Sequence, residues 1–204
     1  MSKLSRAIGL TAIFAAILFN PVFAQKSKKP PKVWAQEPTS VLGIKLGVPL
    51  VDLALAECES YSSIPPQDAP CTVKDKYNLQ KGRFENLIGM PNIGVDYSTT
   101  LNLHNGLVRS LTLKLDHRDY LKLRSILEER YGAPTQVERG TVTSGAGAVL
   151  NSDTLTWTGK RITLLLLERA VTVDSTYVTF TDESVMAAEI ESQTQKSKDA
   201  ASKF

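Results

Sequence analysis

YSTTLNLHNGLVRSLTLKLDHRDYLKLRSILEERYGAP, residues 97–134, carries two elements whose signals agree at every level. Tyr97, Thr99, Leu101 and Leu103 alternate with polar neighbours, Asn105-Gly106 is the dipeptide favoured in a two-residue hairpin turn, and Leu107, Leu111, Leu113 and Leu115 line one face of the return strand. Arg109 interrupts that face and reads as an arginine near the strand end with its head in solvent. Asp116 then caps a helix, with Asp119 three residues on and Leu115 and Tyr120 as the flanking staple. Tyr120, Leu123 and Leu127 form its buried stripe, Gly132 ends it and Pro134 prevents its resumption. A hairpin feeding a capped amphipathic helix points to an α+β domain.

Upstream, Pro49 suits the first position of a helix predicted over Leu50 to Cys58, where Val51, Leu55 and Cys58 share one face. The segment Glu59 to Pro70 is a Ser-, Pro- and Asp-rich loop, Cys71 to Leu79 a first strand, and Gly89 to Gly94 a Gly/Pro/Asn loop. Downstream come Thr135 to Glu138, a Gly-rich loop from Thr143 to Gly147, a hairpin from Thr154 to Glu168 turning at Gly159-Lys160, and a last strand from Val171 to Phe180. Leu164 to Leu167 are apolar on both faces, which predicts a central strand covered on each side or one flanking a partner. The order is helix, two or three strands, helix, four strands. It predicts an antiparallel sheet with two helices packed on one face, arranged as two helix-plus-sheet units.

The first 24 residues read as a secretory signal peptide: Lys3 and Arg6, an apolar run of 13 residues from Ala7 to Phe19, and Val22-Phe23-Ala24 before a predicted cleavage. That run is shorter than the roughly 20 residues a spanning helix needs, and no later stretch is apolar enough, so no integral membrane segment is expected in the mature chain. Residues 25–40 form a flexible basic lead with four lysines, although Val33-Trp34 could dock on the domain; 41–182 is a single domain, and 183–204 is a polar tail. The terminal Phe204 is not preceded by the alternating apolar strand of an outer-membrane barrel. The expected location is periplasmic or secreted. Without Lys3 and Arg6 the chain keeps 22 basic against 21 acidic residues, and the lysines crowd the lead, so the domain lacks the basic face of a nucleic-acid binder.

Cys58 and Cys71 are the two cysteines, and in an oxidising compartment they are read as a disulfide rather than a redox pair or metal site, their spacing being far from C-x-x-C. No catalytic residue or metal site is assigned and no cofactor is expected. His104 and His117 are the two histidines, and both read as exposed; Ser144 sits in Ser-Gly-Ala-Gly, not a nucleophile elbow; the acids are scattered singly. The stapled loop, with Tyr61, Ile64, Pro65 and Pro66, is the candidate partner-binding surface.

The run Gly43-Ile44-Lys45-Leu46-Gly47-Val48-Pro49-Leu50, continuing to Cys58 and closing at Cys71, resembles the opening of β-lactamase-inhibitor-protein-like small envelope modules of bacteria over about residues 41–80. In that resemblance a short strand and turn lead to a helix, a cysteine after it pairs across a loop, and an antiparallel sheet follows. It implies a non-enzymatic module binding a protein partner in the envelope or outside the cell, an inhibitor or accessory factor. The alternative function is a small-ligand or lipid carrier, with the strand through Leu164 to Leu167 as a wall; an unrecognised hydrolase comes third. An internal apolar cavity would favour the carrier.

Overall fold

Alternation along β4 (Ser98–His104), β5 (Leu107–Asp116), β9 (Thr154–Thr158), β10 (Ile162–Leu167) and β11 (Ser175–Asp182) builds the core. In the computed structural model, which describes residues 34–60, 68–73 and 83–203, Leu101, Leu111, Phe180, Leu164 and Trp157 stand directly opposite one another across these five strands. A parallel row runs Thr99, Leu113, Val178, Leu166 and Leu155. All ten are buried. With β1 (Ala56–Cys58), β2 (Cys71–Val73), β3 (Phe84–Ile88) and β6 (Gln136–Glu138) they form a nine-stranded sheet in the order β1-β2-β3-β4-β5-β11-β10-β9-β6. Neighbours are antiparallel except β1 and β2, which run parallel. A separate two-stranded sheet joins β7 (Thr141–Thr143) to β8 (Val149–Asn151). The class is α+β, with a sheet larger than the sequence suggests.

The hairpin turn forms at Asn105-Gly106, with φ of 50° and 78° as a primed turn requires. Helix α1 (Tyr120–Tyr131) buries Tyr120, Leu123 and Leu127 on the core face. Asp116 accepts the Arg118 N–H at 2.9 Å, and a short 3-10 turn at His117–Asp119 precedes the helix. At its other end the protein's two tryptophans satisfy carbonyls that have no intrahelical partner: Trp34 Nε1 donates to Tyr131 O at 2.9 Å and Trp157 Nε1 to Gly132 O at 2.7 Å.

Residues 50–58 depart from the predicted helix. A 3-10 turn at Leu50–Leu53 stops at Ala54, whose φ is 49°, and the chain extends into β1. Val51 is 83 % exposed, so the apolar spacing there does not mark a buried face. An isolated helix of about nine residues is marginal. Pairing Ala56 with Cys71 along β2, together with the covalent bond, outweighs it.

The tail forms helix α2 (Glu183–Ala201). It packs on β4, β5 and β11, with Val185 buried apart from the main apolar cluster and Arg109 Nη1 donating to Glu189 Oε2 at 2.6 Å. The two helices therefore lie on opposite faces of the sheet. Arg109 reaches α2 because Asn102 pairs with Ser110 while Leu103 pairs with Val108, which leaves Arg109 as the extra residue of a β-bulge. The bulge also turns Val108, rather than Leu107, into the core. The expected solvent-facing head is in fact an ion pair under a helix.

The rest of the second face is hydroxyl-rich. Asn86, Thr100, Thr112, Thr179, Leu165 and Thr156 are aligned across it, with Thr100 Oγ1 donating to Asn86 Oδ1 at 2.9 Å. Leu164 and Leu166 are in the core, whereas Leu165 and Leu167 are half-buried among these threonines. Threonine suits a wet sheet face because it pairs across strands.

Cys58 and Cys71 are bonded, with Cα atoms 5.7 Å apart. Cys71→Ser is expected to lower stability by about 3 kcal/mol on the chain-entropy model. Denaturant titration measures it, and thiol labelling of the wild-type protein, denatured without reductant, should find no free thiol; two reactive thiols would rule the bond out.

Candidate functional site

A cavity of about 470 Å³ opens between α1 and the sheet. Its floor is Leu113 on β5 with Val178 and Phe180 on β11. Leu123, Ile126 and Leu127 face it from α1, where spacings of three and four residues put them on one side of the helix. The remaining walls come from segments outside regular structure: Val41 and Leu42 of the N-terminal strap, and Pro91 and Ile93 of the loop after β3.

The strap is held in place by its own chemistry. Val41 and Ile44 exchange backbone hydrogen bonds of 2.8 and 2.9 Å around a two-residue turn with both φ positive, Leu42 at 49° and Gly43 at 83°. Val41, Ile44 and Leu46 are buried. Glu37 receives the backbone N–H groups of Lys160, Arg161 and Ile162 at 2.8, 2.7 and 2.6 Å. Burial raises the Glu37 carboxyl, but these three donors and the Arg161 guanidinium outweigh it and hold the group below its usual range. Packing thus reaches back at least to Trp34, inside the segment read as a flexible lead; Trp34 is docked, at 5 % exposed, and Val33 lies outside the described residues.

Three polar residues also line the cavity: Ser40, Arg130 and Tyr131. Arg130 is exposed at the mouth and forms no ion pair among the described residues, while Arg124, earlier on the same helix, is taken by Glu128 at 2.8 Å. The Tyr131 ring packs edge-on against Trp34 and Phe180, at 5.4 and 5.7 Å between centroids. Burial pushes its phenol above the ordinary value, partly opposed by the charge of Arg130 and by the hydrogen bond between Arg130 and the phenol. The site is an apolar slot with one guanidinium and one phenol at its mouth, and no carboxylate lines it.

A larger groove of about 640 Å³ lies between β3, β4 and the loop joining them, lined by Asn86, Asn92, Asp96, Ser98 and Thr100 among others. Asp96 is its one carboxylate, and no histidine or second acid lines it. The histidines are apart. His104 sits at the hairpin turn beside Asn105, and His117 follows β5, whose ten residues separate the two by roughly 30 Å. Both are half-buried rather than exposed, and His117 Nε2 lies 3.1 Å from Glu168 Oε1. Ser144 closes its own turn, accepting from the Ala148 N–H at 3.1 Å. Among the described residues no group of three or more acids, histidines or cysteines could hold a metal ion, and no helix is long and apolar enough to cross a membrane.

The candidate partner-binding residues Tyr61, Ile64, Pro65 and Pro66 lie outside the described residues, as do the predicted signal segment and Phe204. Sequence reasoning missed the cavity: half of it is made by the strap and the loop after β3, whose contacts have no periodicity to read. The stripe Leu123 and Leu127, with Ile126 beside it, was the available signal. No family model, no curated protein and no solved structure matches the chain.

Proposed function

We propose that the mature protein is an exported carrier that holds a small apolar ligand in the cavity beneath α1. Of the three functions the sequence suggests, protein recognition, ligand carriage and an unrecognised hydrolase, the cavity favours the second. The observation that carries this reading is a space of about 470 Å³ walled by Leu, Ile, Val and Phe with its few polar groups gathered at the mouth. Small-molecule sites have this composition and volumes of roughly 300–1,000 Å³. Export is supported by the basic start and apolar run of residues 1–24, and by the Cys58–Cys71 bond.

Isothermal titration with dodecanol, an uncharged single-chain probe, tests the carrier. Wild type is expected to bind with a dissociation constant on the order of micromolar, near −8 kcal/mol. Ile126→Trp, which places an indole at the half-buried edge of the cavity, should abolish binding while the circular dichroism spectrum stays native. Wild type that takes up no dodecanol, or a folded Ile126→Trp protein that binds as well as wild type, would overturn the reading. In exported protein, N-terminal sequencing should begin at Gln25.

A further inference from the structure

We infer that the cavity's ligand is a single-chain amphiphile with a carboxylate head, its chain between α1 and the sheet and its head at Arg130. This rests on the carrier reading and names its ligand class.

The argument begins with charge. Arg124 and Arg109 are each paired with a carboxylate of the same chain, Glu128 and Glu189. Arg130 has no such partner among the described residues, and the cavity it borders is lined by no acid. Its planar fork of donors matches a carboxylate in two-point geometry. The Tyr131 phenol, hydrogen-bonded to Arg130, places an O–H donor beside it. One cation calls for a monoanion. The rest of the lining offers nothing to a second charged group, because Ser40 is the remaining polar residue and the other wall residues are apolar or glycine.

Geometry sets the orientation. Arg130 lies one helical turn beyond Ile126 and Leu127, so α1 presents an apolar face along the cavity and changes to a cation at its last turn. A ligand with its chain along Leu123 and Leu127 brings its polar end to Arg130 and Tyr131. The helix end itself disfavours an anion, since its carbonyls carry partial negative charge. Here the indoles of Trp34 and Trp157 occupy the Tyr131 and Gly132 carbonyls.

The experiment titrates dodecanoate and dodecanol into wild type, Arg130→Gln and Arg130→Lys. In wild type dodecanoate is expected to bind about tenfold more tightly, the equivalent of roughly 1.4 kcal/mol. Arg130→Gln should bring the ratio of the two affinities close to one, and Arg130→Lys should restore part of it, because a charge remains without the fork. Equal binding of the two probes by wild type would overturn the carboxylate head and leave the carrier standing. A preference for dodecanoate that survives in Arg130→Gln would overturn the assignment to Arg130. Failure of both probes would remove the carrier reading and this inference together.

Discussion

Trp157→Ala is expected to lower stability by about 4 to 5 kcal/mol, at the upper end of large-to-small core substitutions. Trp157 is wholly buried, stands opposite Leu164 in the central apolar row, and donates its indole N–H to Gly132 O at 2.7 Å. Three losses coincide: the transfer free energy of a buried indole, the cavity left behind, and a part-buried carbonyl that loses its donor at the end of α1. A domain of this size is stable by about 5–15 kcal/mol, so the variant should be near the edge of folding at 37 °C. Urea unfolding at 25 °C measures the loss, and Trp157→Phe separates its parts by restoring much of the apolar volume without the donor. A Trp157→Ala loss below about 2 kcal/mol would mean that the core collapses around the gap and the indole bond contributes little.

Locally specified structure was readable from the chain. In residues 97–134 the alternation of β4, the Asn-Gly turn and the Tyr120, Leu123 and Leu127 stripe each predict what forms, whereas Asp116 caps the 3-10 turn before α1 rather than α1 itself, whose N-cap Asp119 makes no side-chain cap bond. Misreadings arise where partners distant in sequence decide. The Val51, Leu55, Cys58 spacing suits a helix, yet β2 and the disulfide draw Ala56–Cys58 into the sheet. Period-2 counting along β5 placed Arg109 on the core face, and one bulge residue changes the face of everything before it.

The tail has a related cause. Residues 183–201 carry no apolar stripe because α2 is anchored by Val185 and by a carboxylate, Glu189, that meets Arg109 from 80 residues away. An intruding arginine and a polar tail are each unremarkable alone, and their pairing emerges only in the fold. The candidate site was less legible still. Its α1 wall lies in the predicted stripe, but the strap wall depends on Glu37 finding the three N–H groups at the Gly159-Lys160 turn, where nothing in the local sequence of either segment announces the other.

Asp182→Ala is expected to lower stability by about 3 to 4 kcal/mol, from a lost helix cap and lost hydrogen bonds to a charged group. The carboxylate is fully buried and joins three parts of the fold. It accepts the N–H groups of Ser184 and Val185, each at 3.1 Å, at the start of α2; it accepts Arg161 Nε–H at 2.7 Å; and it lies against Gly47, where a Cβ would collide with Oδ2. Arg161 is half exposed and returns to water when its partner goes, so the loss stays below that of a fully buried pair. Burial raises the Asp182 carboxyl, but the bonds from Ser184, Arg161 and Val185 with the Arg161 charge outweigh it and hold the group below its ordinary value of 3.8. As pH falls, the unfolded chain therefore takes up this proton before the folded one does. The stabilisation is complete above the unfolded value, near pH 4, and is lost as pH falls through the lower folded value. Glu37 adds to the acid sensitivity in the same direction. Asp182→Asn isolates the charge, because the amide keeps a cap oxygen without ionising. Measured by urea unfolding, the stability gap between wild type and Asp182→Asn should be about 1 to 3 kcal/mol at pH 7 and narrow as pH falls below the unfolded value near 4. A gap of constant size across that range would show that Asp182 acts through shape and neutral hydrogen bonds alone.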